Sequence, residues 1–355
     1  MEPIVIDGSF GEGGGSILRI SAGLACVINK PIRIINIRKN RTKPGLRLQH
    51  LVGLQALASL TGGKTSTIEV GSTEIELFPG EKWSNKIDVS IATAGNIGLL
   101  TQTLQNALFL APPPNCEYKI NVQGGGTYGK YAPGPDYLNN VTYTLFKQMG
   151  YNVNIEVIQH GFFPKGGGEA CITIQPKTTL AEYQPIWFEE RGELLGIKGV
   201  IHVEERLWKP KVAERILASI KQHLSAPFAK SIEVEITPQY HKSLSTGVGV
   251  DVWSEFSNGE VLGAGTILGE RGVSSEKVGK KVAVELNKIL NGTATVDEFA
   301  SDQILPLLCL IEQPSKFRLA SISSHFKTNL DLLEFFFHRK WELTKTTGGF
   351  FVEYQ

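Results

Sequence analysis

Hydrophobic positions along the chain switch between a strand period and a helix period, and glycine-rich loops mark most of the switches. Residues 2–8, EPIVIDG, predict a short strand, and after the loop SFGEGGGS residues 17–29 have the apolar spacing of an amphipathic helix. Residues 31–41 alternate as a strand does, residues 46–62 return to helical spacing, and residues 65–80 predict paired strands. The predicted order is therefore strand, helix, strand, helix, strand, strand.

The same order recurs in the next part of the chain. Residues 86–96 predict a strand that enters a glycine turn, residues 97–111 predict a helix, and residues 152–176 predict a strand pair around a second glycine cluster. The spacing is too loose for a solenoid repeat. We interpret it as a duplicated α/β unit.

From about residue 180 the pattern changes, because charged residues become more frequent and the glycine-rich junctions stop. Residues 209–225 predict a helix, which strand patterns flank on both sides. We predict an inserted smaller α/β domain at 182–277, and a large domain made of residues 1–181 and 278–355.

Bulk composition excludes some classes of protein. The 355 residues are 41% hydrophobic and 20% charged, with a net charge of +1, which argues against a strong global attraction to nucleic acid or membrane. No apolar run approaches the length of a membrane span, and the first residues lack a basic segment followed by an apolar one. The four cysteines are scattered, without metal-ligand spacing. These features predict a cytoplasmic protein with reduced thiols.

Two segments have the composition of an anion site. The loop GEGGGS before a helix is typical of a phosphate cradle or, equally, of a tight turn, and Glu12 inside it would oppose a phosphate unless it binds a cation or a hydroxyl. Residues 31–50 carry six basic side chains and no acid around a Pro-Gly turn. Arginine forks suit phosphate oxygens, although such a run is also found on ordinary solvated surfaces.

Histidines divide into three groups by context. His202, His223 and His338 have ordinary surroundings and are interpreted as structural, whereas His50 and His160 lie in basic or glycine-rich contexts. His325 lies between a predicted strand and a predicted helix, for which we expect Thr328 as N-cap. An imidazole with its ordinary pKa near 6.5 is largely neutral and nucleophilic at cytoplasmic pH.

Six motifs in one order resemble the RNA 3′-terminal phosphate cyclase family: DGSFGEGGGSILR, RKNRTKPGLRLQH, TAGNIGLLTQ, HGFFPKGGGEA, FASDQILPL and SSHFKTN. The resemblance covers essentially the whole chain, and HGFFPKGGGEA matches the family signature. It implies an α/β (α+β) fold whose large domain repeats βαβαββ-type units resembling the C-terminal domain of translation initiation factor 3. It also implies a smaller α/β domain inserted between the third unit and the last helices.

The activity implied by the resemblance is ATP-dependent conversion of an RNA 3′-phosphate to a 2′,3′-cyclic phosphate. His325 matches the nucleophile that forms a covalent histidyl-AMP, which the RNA phosphate then attacks to give an RNA–pp–A intermediate. Glu12 matches a carboxylate that binds a divalent cation, Mg²⁺ or Mn²⁺. Other positions match the nucleotide and phosphate site: Arg19, Arg38, Arg41, Gln49, Gln102, Pro133, Phe299, Asp302 and Gln303.

Some roles stay open at this point. Asp302 orients His325 or reads the ribose, and Phe299 with Pro133 is expected to enclose the adenine. The inserted domain is expected to support RNA contact or stability rather than chemistry. The alternatives to the enzyme are a non-catalytic RNA-binding relative and an enolpyruvyl-type transferase, because both share related units.

Overall fold

The computed structural model describes residues 2–113, 115–225 and 232–354. The first unit is a four-stranded sheet with two helices, in the strand order β1-β2-β4-β3. Strand β1 is parallel to β2, and the other pairs are antiparallel. The elements are β1 Ile4–Asp7, α1 Gly15–Val27, β2 Ile32–Ile35, α2 Leu48–Thr61, β3 Lys64–Thr65 and β4 Ile75–Phe78.

The second unit repeats this topology, with the strand order β5-β6-β8-β7 and one parallel pair, β5 with β6. Its second helix is broken by a π-helical turn at Leu138–Thr142. The repeated order confirms the predicted duplication. The elements are β5 Lys86–Asn96, α3 Ile97–Ala107, β6 Tyr118–Gly126, α4 Pro135–Tyr137, α5 Tyr143–Gln148, β7 Asn152–Gln159 and β8 Glu169–Gln175.

A third unit is assembled from two distant parts of the chain. Trp187 forms a parallel bridge with Lys316, so the backbone near residue 187 occupies the place of a first strand. The rest of the unit is α8 Glu298–Leu308, β13 Ser315–Leu319, α9 Ser324–Phe337, β14 Trp341–Thr346 and β15 Gly349–Tyr354, with the order β13-β15-β14. The insertion therefore interrupts this unit rather than following it.

The inserted part has a sheet of its own, in the order β10-β9-β11-β12, and an apolar cluster of its own. The helix at Ser275–Asn291, α7, belongs to that cluster through Val278, Val282 and Leu286. We therefore propose that the inserted domain ends after α7, beyond the expected boundary at 277. The elements are β9 Leu194–Glu204, α6 Val212–His223, β10 Glu233–His241, β11 Val248–Phe256, β12 Val261–Leu268 and α7 Ser275–Asn291.

Helices from all three units meet at one place. The first helices of the units are α1, α3 and α8; α1 packs against α3 and α9, and α8 also packs against α3 and α9. The mixed α/β class is as predicted from the sequence. Among the described residues, no helix has the length and apolarity needed to cross a membrane. The four cysteines are free thiols, and three of them are buried.

Candidate active site

A cleft of about 620 Å³ opens where these helices meet the inserted part. Its walls come from α1, α3, α8 and α9 on one side and from β12 and α7 on the other. Seven of the residues predicted from the sequence line it: Arg19, Gln102, Pro133, Phe299, Asp302, Gln303 and His325.

His325 lies in the first turn of α9. The helix begins at Ser324, and the N-cap is Ser323, whose side chain accepts a hydrogen bond from the Phe326 N–H at 3.0 Å. The prediction of Thr328 as N-cap is therefore wrong. Thr328 lies one turn into the helix, where its hydroxyl donates to the carbonyl of Ser324 and accepts the N–H of Glu12 at 3.1 Å. Its hydroxyl thus joins two segments that are 316 residues apart in sequence.

The glycine-rich loop before α1 places a carboxylate on His325. Gly11 has φ +52°, and a Cβ there would collide with the side chain of Thr328, so only glycine lets the loop approach α9 this closely. Glu12 then lies with Oε2 at 2.9 Å from Nδ1 of His325, and its Oε1 accepts a hydrogen bond from Arg41. The Glu12 side chain is only 10% exposed. The loop therefore brings an orienting carboxylate to the histidine.

The charges around His325 favour its neutral form. Partial burial lowers its pKa, and the positive charges of Arg19 and Arg41 lower it further. An Nδ1–H donated to Glu12 leaves the lone pair on Nε2, as in other carboxylate–histidine pairs. The arrangement provides a neutral imidazole with a defined tautomer, which is what nucleophilic attack requires.

Asp302 and Arg19 are half-buried titratable side chains in the wall of the cleft. Burial raises the pKa of Asp302 to about 8, against the opposing effect of Arg19, and burial lowers the pKa of Arg19 to about 10. The Oδ1 atom of Asp302 is buried and has no hydrogen-bond partner among the described residues. Because Glu12 is the carboxylate in contact with His325, Asp302 is free to accept a hydrogen bond from a ligand.

Aromatic and amide side chains complete the wall. Phe299 is 47% exposed, packs edge-on against Tyr137 and lies over Gly265, whose missing Cβ leaves room for the ring. Gln303 accepts a hydrogen bond from Gln105 at 3.2 Å. Phe299 and Pro133 line the same cleft and offer it flat apolar surface.

Four of the expected residues do not line the cleft: Glu12, Arg38, Arg41 and Gln49. The Arg38 guanidinium donates to the carbonyls of Lys43 and Gly45, at 2.8 and 3.0 Å, and so holds the basic loop in shape. Gln49 lies in the first turn of α2, beside Gly95. Arg41 is adjacent to the site through Glu12 and His325.

The structure also adds wall residues that the sequence did not suggest. Tyr131 is 99% exposed with φ +61°, an uncommon conformation for a tyrosine, and it lines the cleft. The inserted part contributes Gly265 and Thr266 from β12 and Lys281 and Lys288 from α7. The sequence predicts that this part supports RNA contact or stability rather than chemistry; in the structure it forms one wall of the cleft. No local sequence signal marks these residues as wall residues.

His50 lies beneath the site and couples stability to pH. Its Nδ1 accepts the Arg47 N–H at 3.2 Å, and burial with three nearby arginines lowers its pKa to about 3. His50 of the unfolded chain binds a proton below about pH 6.5, whereas His50 of the folded chain does so only near pH 3, so the protein loses stability as the pH falls from about 6.5 toward 3.

Replacing His50 should make stability less dependent on pH. Between pH 7 and pH 4.5, we expect the free energy of unfolding of His50→Gln, measured by urea denaturation, to fall by about 2 kcal/mol less than that of the wild type. Parallel pH dependence in the two proteins would contradict this.

The chain was compared with protein-family models and with known proteins. Residues 10–343 match the family model described as RNA 3′-terminal phosphate cyclase. Proteins named RNA 3′-terminal phosphate cyclase from Archaeoglobus fulgidus and Pyrococcus furiosus are each 36% identical to the chain, over 333 and 345 residues. The alignments cover 94% and 97% of this chain and 95% and 96% of those proteins. The chain therefore belongs to the RNA 3′-terminal phosphate cyclase family.

Proposed function

We propose that the protein converts the 3′-terminal phosphate of an RNA to a 2′,3′-cyclic phosphate at the expense of ATP, with His325 as the nucleophile. The observation that carries the proposal is the contact of Glu12 with Nδ1 of His325 at the end of a cleft lined by Arg19 and Asp302. A histidine held in this way has a free Nε2 facing the cleft. A protein that only bound RNA would not need such a histidine.

In the first step, Nε2 of His325 attacks the α-phosphorus of ATP. A P–N bond forms, the bond to the β-phosphate oxygen breaks, and pyrophosphate leaves with the electron pair. Arg19 and Arg41 are the cations nearest to His325 that lower its pKa, and they are placed to offset the negative charge that accumulates on the phosphates. In our proposal Asp302 accepts a hydrogen bond from a ribose hydroxyl of ATP, and the adenine lies between Phe299 and Pro133.

The next steps regenerate the histidine. An oxygen of the RNA 3′-phosphate attacks the phosphorus of the histidyl-AMP, the P–N bond breaks, and an RNA–pp–A anhydride forms. The adjacent 2′-hydroxyl oxygen then attacks the activated RNA phosphorus, the bond from that phosphorus to the AMP phosphate oxygen breaks, and AMP departs while the hydroxyl proton passes to solvent. Direct cyclisation would have to expel hydroxide or oxide, so adenylylation supplies the better leaving group. The last step is intramolecular, and positioning accounts for much of its rate.

A divalent cation fits the end of the cleft where Glu12 lies. Mg²⁺ and Mn²⁺ accept carboxylate oxygen and are often held by one carboxylate together with substrate phosphates and water. Glu12 is the residue that would hold the ion, since each of its oxygens keeps a further lone pair beside Arg41 and His325. When bound, the ion would neutralise phosphate charge.

Basic side chains beside the site are the proposed contacts for the RNA. The segment 38–47, in which Arg38 donates to the Lys43 carbonyl, carries Lys43 and Arg47. It approaches His325 through Arg41, which pairs with Glu12. Free thiols are in keeping with a reducing compartment, so we place the enzyme in the cytoplasm.

The test is incubation of the full chain with α-labelled ATP and Mg²⁺ or Mn²⁺, followed by denaturation and a count of covalent AMP. We expect an acid-labile, alkali-stable adduct. Adding an RNA with a 3′-phosphate should discharge the label and make the RNA end resistant to phosphatase. A folded protein that binds ATP and RNA yet forms no adduct with either metal would overturn the proposal in favour of a non-catalytic relative. Competition by phosphoenolpyruvate would instead indicate an enolpyruvyl-type transferase.

Replacing Arg41 should shift the pH at which the rate of covalent AMP formation falls on the acidic side. The positive charge of Arg41 helps to lower the pKa of His325, so Arg41→Gln raises that pKa and more of the histidine is protonated at mildly acidic pH. In the wild type we expect the rate to fall only below about pH 6.5, and in the variant the midpoint should lie at higher pH. Single-turnover rates across a pH series measure the midpoint separately from the overall rate. A midpoint that is unchanged or lower would contradict the assignment.

A further inference from the structure

Three histidines meet at the junction between the second unit and the inserted part, away from the cleft. His160 directly follows β7, His202 lies on β9, and His241 ends β10. One ring nitrogen from each lies within 4.8 Å of the other two, and no other group of this kind occurs within residues 2–113, 115–225 and 232–354. Nothing in the proposed cyclase chemistry uses these side chains.

Hydrogen bonds to neighbouring groups turn one lone pair of His160 and one of His202 toward the shared centre. Nδ1 of His160 lies 3.2 Å from the hydroxyl of Thr127, which also lies within hydrogen-bond distance of the Gly161 carbonyl and N–H. When that hydroxyl donates to the carbonyl, it accepts Nδ1–H from His160, and Nε2 keeps its lone pair. Nε2 of His202 donates to Asp136 at 2.8 Å, which leaves the lone pair of its Nδ1 toward His241.

The carboxylate beside His202 is the kind of partner that metal-bound histidines use. A ligating histidine commonly donates its other N–H to a carboxylate, which fixes the ring and makes the ligating nitrogen more basic. Asp136 is in turn held by the hydroxyl of Tyr128, which also reaches Asp251. Two acidic groups therefore lie close to the cluster, where Lys242 is the nearby cation that lines the adjoining cavity.

The cluster is accessible from one side. His160 and His202 are 7% and 4% exposed, and His241 is half-buried at the end of β10, an edge strand. A cavity of about 580 Å³, lined by all three histidines and by Asp136, adjoins it. A small ion and a water molecule can therefore reach the three nitrogens from solvent.

We propose that this cluster binds one divalent transition-metal ion of the zinc class, with Nε2 of His160, Nδ1 of His202, Nε2 of His241 and a water molecule as ligands. Three imidazoles and one water suit zinc in four-coordinate geometry. Since two ligands come from the inserted part and one from the second unit, the ion would join these two parts of the chain.

Binding requires the three ring nitrogens, which lie within 4.8 Å of one another, to adjust to the spacing of ligands on one zinc ion. Nδ1 of His202 and Nε2 of His241 are hydrogen-bonded at 2.7 Å, whereas two nitrogens on one tetrahedral zinc at 2.0–2.1 Å lie roughly 3.3 Å apart. His241 can supply the difference because its strand is at the sheet edge. The pKa values of His160 and His241 are lowered to about 3 and about 4, chiefly by burial, so both rings are neutral. Because Nδ1 of His202 is the acceptor, Nε2 of His241 carries the proton of that hydrogen bond, and metal binding moves this proton to Nδ1 of His241.

The experiment is a zinc titration of the full chain after treatment with EDTA and desalting, by calorimetry with a competing chelator. We expect one ion per chain, and with Co²⁺ the visible absorption of a four-coordinate complex. His241→Gln should weaken binding by at least about 100-fold, and Asp136→Asn, which removes no ligand, by about 10- to 100-fold. His223→Gln, in the same inserted part but outside the cluster, should bind as the wild type does.

Thermal unfolding provides the second readout. Zinc should raise the melting temperature of the wild type in proportion to the logarithm of its concentration, and it should not do so for a folded His241→Gln. Circular dichroism and covalent AMP formation confirm that each variant is folded. Equal zinc affinity in the wild type and His241→Gln would overturn the proposal. So would a wild type that binds no zinc tighter than about 10 µM.

Discussion

Replacing His325 with asparagine should reduce covalent AMP formation by at least about 10⁴-fold, because the variant has no nitrogen that can attack the α-phosphorus. Asparagine keeps a polar side chain in the first turn of α9, where Ser323 still caps the helix. The side chain is 49% exposed, so little packing is lost. The measurement is single-turnover labelling with α-labelled ATP, followed by denaturation.

In this variant ATP binding should be retained although covalent AMP formation is lost. Arg19, Asp302 and Phe299 remain in the cleft wall, so the dissociation constant for ATP should change by no more than a few-fold. The matched control is His338→Asn, which changes a histidine at the other end of the same helix, where φ is +53° and asparagine is tolerated. If His325→Asn retained label at the wild-type rate, another residue would be the nucleophile. If the variant lost ATP binding as well, the missing label would be explained by lost binding and would not support His325 as the nucleophile.

The fold was accessible from the sequence because its signals are local. The spacing of apolar residues and the glycine-rich loops between elements predicted the order of helices and strands in the first two units. Both units have the same strand order in the structure. The third unit was harder to identify because its first strand is short and the inserted part separates it from α8. A boundary based on composition placed α7 with the large domain, although its apolar face packs on the inserted part.

The candidate site was predicted less completely, because contacts between distant segments decide it. The sequence predicted Thr328 as the N-cap, but the helix begins earlier, at Ser324, with Ser323 as the cap, and the Thr328 hydroxyl contacts Glu12 instead. Arg38 has the chemistry of a phosphate ligand, and its Nη1 donates to the carbonyls of Lys43 and Gly45, contacts that the sequence did not indicate. Nothing in the sequence around Glu12 or His325 indicates that the two side chains touch.

The histidine cluster illustrates the same limit. His202 and His241 lie in strands, which is an ordinary context, and His160 differs only in its glycine-rich surroundings. Only the packing of the inserted part on the second unit brings the three together. A single histidine does not indicate a metal site, whereas three histidines with neighbouring ring nitrogens do. Contacts of this kind cannot be read from spacing, since the loops between the strands have no fixed length.

The contact between Glu12 and His325 makes a second strong prediction, since we expect Glu12→Ala to slow covalent AMP formation by about 10²- to 10⁴-fold. Without the carboxylate, nothing holds the proton on Nδ1 of His325, and the ring populates the tautomer whose Nε2 is protonated and unreactive. Glu12→Gln should also be impaired, because its amide can donate to Nδ1 and stabilise that wrong tautomer. The measurement combines single-turnover labelling with ¹⁵N NMR of the His325 ring.

A role for Glu12 confined to the divalent cation gives a different result. Raising Mn²⁺ would then restore the rate of Glu12→Ala, and the ¹⁵N shifts of His325 would match those of the wild type. If Glu12 orients the ring, the shifts report a change of tautomer and added Mn²⁺ restores only part of the rate. Thr328→Val provides the matched control: it removes the hydroxyl that accepts the Glu12 N–H but keeps the carboxylate. Its rate should fall less than that of Glu12→Ala, because the loop is displaced while the group that fixes the tautomer is still present.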